Sequence, residues 1–516
     1  MKKTKIFFVI IVGLLLINSC KKDYLDTKPT SDMSPSTIFS TTKGGAMAIN
    51  GICKLMTRQY LGTQGFNGEG TMKMYYGNYP GNHFTVNLPG WSSVINMNNL
   101  ENTTSPYNYY PWYYYYTLIG NANLVIANID NASGLSTEKQ FIKAQALTFR
   151  AYSYFMLSQI YCKRWMDSNN GSSDGLVLRT DMSSGAMPLS TLGDVYQQIY
   201  DDLTDAITLY TASGLTRKKN YEPDINVAYA VYARASLTRQ DYTTAATMAV
   251  NARNGYPLMS NTDYKAGFCN PTNEWIWSSW GSSDETLYFY SYHAYIAYNA
   301  TSSAVKTYPK CISKELLYQI PATDIRRSVF LDTLTYTYNR TTGEASTALR
   351  NYARTLYPDM SKDGTGAYNG KVYAFMQFKI KANDFPGVGH LNHFRSSEMY
   401  LIEAEAKYSL PVPDEDGARA ALLALNFTSG RDLNYTLSTN TGIALLNEIK
   451  MYRAIELWGE GFDWFDLKRW GDNINRKTFT AGGSFVTGLD VIINPSEKNG
   501  WVWRIPNKET DYNFDL

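Results

Sequence analysis

The chain has 516 residues, of which 48 are lysine or arginine and 46 are aspartate or glutamate, so its formal net charge is only +2. A nearly neutral chain with no long block of one sign lacks the clustered basic residues that nucleic-acid binding requires. Aromatic residues make up 14% of the chain, and 42 of them are tyrosines. Tyrosine combines an apolar ring face with a hydroxyl, which suits both core packing and the binding of sugars or peptides.

The first 19 residues have the pattern of a lipoprotein signal peptide. Three lysines among the first five residues precede the apolar run 6–17, which is too short to span a bilayer but suits a secretory signal. The run ends at a small residue followed by Cys20, which resembles a bacterial lipobox, so we predict cleavage before Cys20 and lipidation of its thiol. An ordinary signal peptide with an incidental cysteine is the alternative. No later segment has the roughly 18 consecutive apolar residues of a spanning helix, so we expect attachment to a membrane by lipid.

About 495 mature residues usually form two or three domains, but a helical array can form one large unit. We divide the chain into the signal peptide (1–19), an N-terminal part (20–255) and a C-terminal part (256–516), and we expect these two parts to pack as one compact unit. In an oxidising compartment, the four remaining cysteines allow three disulfide pairings, and four buried free thiols are the alternative. These cysteines are Cys53, Cys162, Cys269 and Cys311.

Apolar residues at intervals of three and four positions predict a chain dominated by amphipathic helices. The longest of these patterns has its apolar side chains near one face, and Ser136 or Thr137 can cap its start. In chain order, the predicted helices span 112–129, 141–161, 191–209, 226–237, 242–252, 397–408 and 416–425.

Small residues at helical spacing predict closely packed helix pairs. Ala228 and Ala235 lie in one predicted helix, and Ala245 and Ala249 lie in the next, in the manner of tetratricopeptide (TPR) repeats. The last two predicted helices form a similar pair. We therefore predict a mainly α fold with a TPR-like scaffold of helical hairpins (an α–α superhelix), long irregular loops and a few short strands. A set of unrelated helical hairpins is the alternative.

Three long stretches between the helices have a different composition. Residues 62–111 are rich in Gly, Asn, Pro, Tyr and Trp and show no sustained period, which predicts a long loop of the kind that is usually functional. Residues 257–299 mix aromatic residues with short alternating runs such as 287–290, which predict short strands. Residues 332–384 are polar and contain several glycines.

A cluster of carboxylates near the C-terminal end raises the possibility of glycoside hydrolysis by an acid–base pair. The cluster consists of Glu456, Glu460, Asp463 and Asp466. Arg453 precedes Glu456 by three positions, and Arg469 follows Asp466 by three, so the charges can pair along a helix. Because apolar residues are interleaved with these charges, we interpret the cluster as structural.

Other motifs of catalysis or metal binding are weak. His390 and His393 form an HxxH pattern without the glutamate of a metalloprotease, and the neighbouring glycines indicate a loop. The sequence contains no G-x-S-x-G elbow, P-loop or G-x-G-x-x-G motif. We therefore expect no catalysis, no metal site and no cofactor.

Six blocks in a fixed order resemble those of the SusD/RagB family of outer-membrane nutrient-binding lipoproteins. The strongest is 453–471, which carries Arg, Glu-Leu, Glu-Gly, Asp-Leu and Arg-Trp-Gly elements in the family's register. The chain departs from the family pattern only in ending soon after Asn513. In chain order, the blocks are Tyr24-Leu25-Asp26 with Pro29, then 112–123, 144–161, 395–406, 453–471, and Ile505-Pro506 with Glu509 and Asn513.

The resemblance implies a fold and a set of partners. Family members have TPR-like units that support ligand-holding loops, and they bind their ligands without hydrolysing them. They partner a SusC-like TonB-dependent outer-membrane transporter and deliver oligosaccharide or peptide into it. The charged stretch 21–26 resembles the tag that directs lipoproteins of the Bacteroidetes to the cell surface, so the resemblance places this chain in the outer membrane, exposed on the cell surface.

Aromatic and amide side chains in the loops are the best candidates for ligand contact, because a concave site needs apolar surface with a few placed polar groups. In the family, the region equivalent to 69–99 contributes ligand contacts. By contrast, 274–277 resembles a buried family strand and is assigned to the core. The candidate residues are Glu69, Tyr75, Tyr76, Asn78, Trp91 and Asn96 in the first loop, and Trp280, Tyr292 and Tyr295 in a second patch.

The leading hypothesis is a surface lipoprotein that captures oligosaccharide or polysaccharide for a transporter. Capture of peptides is the first alternative, because loops rich in Tyr and Asn do not separate the two. An all-helical glycoside hydrolase is the second, and it predicts two carboxylates facing each other across a cleft about 5–10 Å apart. A purely structural surface protein is the third, and it predicts no concave aromatic site.

Overall fold

The structure is a computed structural model that describes residues 35–62, 65–282, 291–384 and 387–516. The predicted signal peptide, Cys20, the charged stretch 21–26 and the apolar run 287–290 lie outside the described residues. Within the described ranges, no helix has both the length and the apolar character needed to cross a membrane.

Helices form most of the regular structure, as the periodicity predicts. The α-helices in the described residues are α1 (Pro35–Ile38), α2 (Thr42–Leu55), α3 (Gly68–Thr71), α4 (Ser92–Ile95), α5 (Pro106–Asn128), α6 (Ser136–Tyr161), α7 (Leu192–Ser213), α8 (Ile225–Arg239), α9 (Tyr242–Ala252), α10 (Asn261–Tyr264), α11 (Tyr292–Ile296), α12 (Ser303–Lys306), α13 (Lys314–Leu317), α14 (Thr347–Leu356), α15 (Ser396–Tyr408), α16 (Glu415–Leu423), α17 (Gly442–Glu456), α18 (Asp463–Trp470) and α19 (Asn507–Thr510). Met72–Asn78 and Ala424–Thr428 are π-helical, and 3₁₀ turns span Pro89–Trp91, Ile129–Asn131, Trp165–Asp167, Ile325–Val329 and Lys498–Trp501.

All of the predicted helices are present, and side chains cap the starts of several of them. The predicted cap at Ser136 or Thr137 is wrong, because α6 begins at Ser136 and its N-cap residue, Leu135, makes no side-chain hydrogen bond. The Thr191 side chain accepts a hydrogen bond from the N–H of Asp194, whose carboxylate accepts one from the N–H of Thr191, so a capping box starts α7. Helix α5 begins earlier than predicted because Ser105 caps it and Pro106 occupies the first turn, where its missing N–H costs nothing.

The long helices pack against one another in sequence order from α5 to α9. The four predicted small residues, Ala228, Ala235, Ala245 and Ala249, are fully buried in α8 and α9, which pack closely. Helix α9 then packs against α15, and α15 packs against α16 and α17, which connects the N-terminal and C-terminal helices. The predicted scaffold of helical hairpins is thereby confirmed.

The prediction of an open loop over 62–111 is wrong in part. This segment contains α3, the π-helical segment Met72–Asn78, a short strand and α4, and residues 65–81 are all buried. Contacts with distant residues stabilise it, since the Asn78 side chain donates to the carbonyl of Gly459 and accepts from the N–H of Gly461. The polar stretch 332–384 likewise contains a helix, α14, which Ser346 caps.

The strands form three two-stranded antiparallel pairs, which are β1 (Phe84–Val86) with β3 (Lys310–Ile312), β2 (Trp275–Ser279) with β4 (Leu391–Arg395), and β5 (Ile474–Asn475) with β6 (Ile492–Ile493). Strand β2 confirms the predicted buried strand at 274–277. His393 was expected in a loop but lies in β4, where its Nε2 atom is 2.6 Å from the Ser279 hydroxyl. The loop prediction is wrong for His393 because the neighbouring glycines precede β4 and do not interrupt it.

The cysteines adopt the free-thiol alternative. Each of the four is a buried free thiol, so none of the three possible disulfide pairings is formed. The four residues are Cys53, Cys162, Cys269 and Cys311.

A buried ion network joins three segments of the C-terminal part, which carry Glu274, Lys379 and Arg395, to the C-terminal family block 453–471. The Arg395 guanidinium, at the end of β4, lies 2.8 Å from the Glu274 carboxylate and 2.7 Å from that of Glu456. It also donates two hydrogen bonds, of 2.8 and 2.9 Å, to the Glu460 carboxylate. The ammonium of Lys379 lies 2.7 Å from Glu460. All of these side chains are almost completely buried.

The network keeps Glu456 and Glu460 ionised. Burial alone would raise the pKa of Glu460, but the charges of Arg395 and Lys379 outweigh it and lower that pKa to about 2. The pKa of Glu456 is also held well below its usual value, since burial is outweighed by Arg395, Arg431 and Arg326. A buried charge is stable only when it is paired, so each member of the network depends on the others.

Removal of Arg395 should therefore strongly destabilise the fold. We expect Arg395→Met to lower the free energy of unfolding by about 3–5 kcal/mol, because it leaves three buried carboxylates short of a partner. Lys371→Met is the matched control, since Lys371 pairs with Glu344 at an exposed position and should cost less than about 1 kcal/mol. Urea unfolding followed by circular dichroism measures both, and equal effects would contradict this role of the network.

Candidate ligand-binding site

The structure brings residues of the two predicted patches together in one aromatic cluster. Tyr75 lies in the π-helical segment, Trp91 ends the turn before α4, and Tyr295 lies on α11. The ring centroid of Tyr75 is 5.2 Å from that of Trp91 and 5.7 Å from that of Tyr295. Trp91 and Tyr295 are 6.4 Å apart, and the hydroxyls of Tyr75 and Tyr295 are hydrogen-bonded at 2.9 Å.

Trp91 is the most accessible of these three rings. It is half-buried, whereas Tyr75 and Tyr295 are 2% and 8% exposed. Burial raises the pKa of the Tyr75 hydroxyl well above its usual value, so the phenol stays neutral. The cluster therefore offers one partly exposed indole face over a neutral, hydrogen-bonding floor, which is the mixture that a sugar-binding surface needs.

Two further tyrosines extend the cluster. The ring centroid of Tyr79 is 6.4 Å from that of Trp91, and the half-buried ring of Tyr107 lies 5.9 Å from Tyr75. Gly65 approaches from the other side with a φ of +95°, and a Cβ atom there would lie 2.7 Å from the Tyr75 hydroxyl oxygen. Any side chain at position 65 would thus collide with the cluster as well as strain the backbone.

Arg476 fixes the segment that carries Trp91. Its buried guanidinium donates to the carbonyls of Pro80, Gly81 and Ile95, which lie on both sides of Trp91. It also donates to the side-chain oxygen of Asn96, whose amide donates to the carbonyl of Gly488. Asn96 is therefore occupied by the protein, and we assign it to positioning and not to ligand contact.

Tyr76 satisfies a carbonyl that a proline leaves without its helical partner. Pro111 lies inside α5 and has no N–H to donate to the carbonyl of Tyr107, four residues earlier. The Tyr76 hydroxyl donates to that carbonyl instead. Because the Tyr76 ring is buried, we assign it this structural role and leave it out of the proposed ligand contacts.

Glu69 and Asn78 are also enclosed by the protein. The Glu69 carboxylate accepts hydrogen bonds from the hydroxyls of Tyr114 and Tyr152, and burial raises its pKa. The Asn78 side-chain amide is hydrogen-bonded to the backbone of Gly459 and Gly461. The Tyr292 hydroxyl also donates to the carbonyl of Gly459, at 2.6 Å. We place Glu69, Asn78 and the Tyr292 hydroxyl in the core and leave them out of the proposed ligand contacts.

Trp280 forms a separate exposed surface. Its side chain follows β2 and is 44% exposed. It borders a small depression of about 70 Å³ with Tyr292 and Leu391, and a larger cleft of about 570 Å³ with Lys219 and His390. Trp280 is therefore not part of the Trp91 cluster. Both surfaces include a residue of α11, since Tyr292 lines the depression beside Trp280 and Tyr295 contacts Trp91.

The acidic cluster is engaged in structure. Glu456 and Glu460 belong to the buried ion network, and Asp466 pairs with both Arg453 and Arg469. The predicted Asp466–Arg469 pair is confirmed, but the predicted Arg453–Glu456 pair is wrong because the helix ends at Glu456 and its carboxylate turns towards Arg326 and Arg395. Among the described residues, no group of three or more His, Cys, Asp or Glu side chains is placed to hold a metal ion.

Sequence reasoning did not assign Tyr107, Lys219 or His390 to ligand contact, although His390 was noted as part of the HxxH pattern. Tyr107 lies in the stretch 62–111, which was predicted to be a loop, and only the high tyrosine content of that stretch pointed to the cluster. Lys219 and His390 are far apart in sequence, and no local pattern connects either with Trp280. His390 comes close because β4 pairs with β2, and Lys219 comes close because the N–H of Ser278 in β2 donates to the carbonyl of Asn220.

Comparison with known proteins supports the family assignment. Residues 23–237 match a family model described as "Starch-binding associating with outer membrane", and residues 239–516 match the model of the SusD family. The second match alone covers more than half of the chain. The chain belongs to the SusD family. SusD-like protein P38 of Formosa agariphila is 22% identical over 493 residues, which is 91% of each chain.

Solved structures of SusD-like proteins have the same fold. A SusD-like carbohydrate binding protein from Bacteroides vulgatus superposes with a TM-score of 0.75 at 22% identity, covering 93% of this chain and 98% of that chain. A SusD superfamily protein from Bacteroides thetaiotaomicron gives a TM-score of 0.69 at 20% identity, with 92% and 98% covered. The mainly helical SusD fold is thus shown for this chain.

Because the Trp91 ring is only half-buried, it should contribute less to the free energy of unfolding than a fully buried aromatic ring of the same cluster. We expect Trp91→Ala to lower the free energy of unfolding by about 1–2 kcal/mol, because only part of the ring is buried. Tyr79→Ala, which removes a fully buried ring of the same cluster, should cost about 3–5 kcal/mol. Urea unfolding of both variants tests this, and a larger loss for Trp91→Ala would show that the indole is a core residue.

Proposed function

We propose that this SusD-family protein is an outer-membrane lipoprotein that captures oligosaccharide or polysaccharide at the Trp91 cluster. The observation that carries the proposal is the half-buried indole of Trp91 above the neutral, hydrogen-bonded pair of Tyr75 and Tyr295. The C–H faces of a sugar ring pack on such an indole. The description of the matching family model, starch-binding in association with the outer membrane, agrees with this chemistry.

Delivery and attachment complete the proposal. We propose that the captured glycan passes unchanged to a SusC-like TonB-dependent transporter, and that the protein is held at the cell surface by lipid on Cys20. Three of the four acidic residues of 453–471 support binding without hydrolysis, because Glu456, Glu460 and Asp466 are paired with buried arginines. A carboxylate kept ionised in such pairs does not supply the proton that glycoside hydrolysis requires. The fourth, Asp463, accepts a hydrogen bond from the N–H of His83.

Calorimetric titration tests the ligand class. The soluble protein beginning after Cys20 is titrated with neutral and charged oligosaccharides and with peptide digests. We expect heat with at least one glycan class, and no change in the glycan by chromatography. Trp91→Ala should raise the Kd about tenfold or more, since stacking on one aromatic ring contributes about 1–1.5 kcal/mol beyond its buried area.

Trp165→Ala is the matched control for this experiment. Trp165 is also half-buried but packs against Tyr196, away from the cluster. Equal losses in the two variants would place the site elsewhere. Heat with peptides alone would favour the peptide-binding alternative, and absence of binding to both classes would overturn capture as the function.

Lipid attachment predicts a simple change in location. Cys20→Ala should move the protein from the outer-membrane fraction to the soluble fraction of the cells, because no other described segment can anchor it through the bilayer. Immunoblotting of the separated fractions measures the change, with Cys53→Ala as the control because Cys53 is buried in α2. Retention of Cys20→Ala in the outer membrane would contradict the lipid anchor.

A further inference from the structure

A cavity of about 250 Å³ lies beside the start of α18. A cavity of about 150 Å³ inside a protein can hold one benzene ring, so this cavity has room for a ligand of the size of one sugar ring. Helix α17, the turn 457–462 and α18 form one side of it, and the segment 78–84 forms another. None of its described lining residues belongs to the Trp91 cluster or to the surface beside Trp280. Its apolar wall consists of Phe84, Leu316, Met451, Leu457 and Trp458.

Asp463 is a lining carboxylate that makes no ion pair with any residue in the described part of the chain. It is half-buried, and its Oδ2 atom accepts a hydrogen bond of 2.6 Å from the N–H of His83. The other two acidic side chains of the described lining are each neutralised by basic neighbours. These pairs are Asp466 with Arg453 and Arg469, and Asp472 with Lys450.

The start of α18 explains why an unpaired carboxylate is tolerated here. Asp463 is the first residue of α18, where the partial positive charge of the helix N-terminus favours an anion. Burial still raises the pKa of Asp463, because the charge and the N–H of His83 offset the effect of burial only in part. An ammonium group in the cavity would therefore favour the ionised carboxylate and supply the ion pair that the protein does not.

Neighbouring residues hold this carboxylate in a fixed position. Gly81 packs so closely against it that a Cβ atom at position 81 would lie 2.1 Å from the Asp463 Oδ2 atom. The carbonyl of His83 accepts a hydrogen bond of 2.7 Å from the indole of Trp458, on the opposite side of the residue from its N–H. The segment 81–83 is thus bound to the family block before any ligand arrives, which reduces the entropy lost on binding.

Hydrogen-bonding groups accompany the carboxylate. Arg453 lines this cavity and also a smaller inner cavity of about 30 Å³, and its Nη1 atom is buried with no hydrogen-bond partner among the described residues. A buried N–H without an acceptor is costly, so a ligand oxygen that reaches it directly or through a water molecule would stabilise it. The exposed amides of Gln319, Asn447 and Asn473 line the cavity and can donate or accept further hydrogen bonds.

The cavity is close to the Trp91 cluster along the chain. Tyr79 belongs to that cluster, and His83 lines the cavity. Four residues of extended chain span no more than about 14 Å, so the backbones at these two positions are no farther apart than the length of a few sugar rings.

We propose that this cavity binds an amino sugar, whose ring carries a protonated amine. The ammonium group pairs with Asp463, the ring oxygens bond to the amides and to Arg453, and the C–H face of the ring lies against the apolar wall. The inference rests on the proposed glycan-binding function and adds its substrate class. A sugar that carries only hydroxyls, or whose amine is acetylated, brings no charge to Asp463 and lacks the charge-assisted hydrogen bond.

Oligosaccharides of matched length and linkage, which differ in one substituent, test this preference. The soluble protein beginning after Cys20 is titrated by calorimetry in mildly acidic buffer, where the amine is protonated. The ligands are chitosan oligosaccharides, with a free amine, N-acetylchito-oligosaccharides, with an acetylated amine, and cello-oligosaccharides, with a hydroxyl. We expect the chitosan oligosaccharides to bind about tenfold more tightly than either of the other two.

Asp463→Asn places the preference in the cavity, with Asp511→Asn as its control. Asparagine keeps the shape of the side chain and an acceptor for the N–H of His83 but removes the charge. Asp511 is exposed and is not a lining residue, and its substitution changes the net charge equally. Asp463→Asn should reduce the affinity for chitosan oligosaccharides about tenfold, to that for the acetylated ones, whereas Asp511→Asn should not change it.

Ala454→Met tests the cavity without changing a charge. Ala454 lies on α17 and lines the cavity, so a longer side chain there fills part of the space. This variant should also weaken the binding of chitosan oligosaccharides about tenfold, with circular dichroism confirming that each variant is folded. Unchanged binding by folded Ala454→Met would overturn the assignment of the amine to this cavity.

The outcomes distinguish this inference from the function on which it rests. Equal affinities for the three oligosaccharides, or a chitosan preference that survives Asp463→Asn, overturn the amino-sugar site and leave glycan capture in place. Heat with the peptide digests but none with chitosan overturns it as well, because the amine would then belong to a peptide. Absence of heat with every glycan overturns both proposals.

Discussion

The structure depends on the pairing of charges that are buried far from water. Arg395 joins Glu274, before β2, to Glu456 at the end of α17 and to Glu460 in the turn that follows, and these segments are widely separated in sequence. Charges in a low-dielectric interior are tolerated only with close partners, so these segments have one stable arrangement relative to one another. The network therefore fixes the turn 457–462 in the middle of the protein, where a flexible loop would otherwise be expected.

That turn then positions the binding surface. The carbonyl of Gly459 accepts hydrogen bonds from both Asn78 and Tyr292, at 2.8 and 2.6 Å. Asn78 belongs to the segment of Tyr75, and Tyr292 belongs to the helix of Tyr295. One backbone carbonyl thus links the two segments whose tyrosines meet under Trp91. Asn78 and Tyr292 were predicted to contact a ligand, but they instead hold the segments that carry Tyr75 and Tyr295 in place beside Trp91.

The helical scaffold was predictable because the residue pattern within each segment is enough to indicate a helix and the face on which it packs. The periodicity of α5 to α9 and the alanines of α8 and α9 predict both the helices and their close packing. The segment 65–81 was not predictable as structure, because its stability comes from partners nearly 400 residues away, such as Asn78 with Gly459. The residue pattern within one stretch of sequence does not predict contacts with residues so far away in the chain.

The candidate site was predictable by residue type and less so by role. Composition pointed to Tyr75, Trp91, Tyr295 and Trp280, which the structure places at two aromatic surfaces. It also pointed to Glu69, Tyr76 and Asn78, which are buried, and to Asn96, which is half-buried and hydrogen-bonded to Arg476. A tyrosine or asparagine suits a ligand and a buried carbonyl equally, so only burial separates the two uses.

Helix α11 connects the two aromatic surfaces physically. Tyr292 borders the depression beside Trp280, and Tyr295, three residues later, contacts Trp91. Residues at this spacing lie on neighbouring positions of one helical turn, so their relative placement is nearly rigid. Since the Tyr292 hydroxyl is bonded to Gly459 and the Tyr295 hydroxyl to Tyr75, α11 cannot shift without disturbing both surfaces. The same buried turn that the ion network fixes therefore sets the geometry of the exposed rings on either side of it.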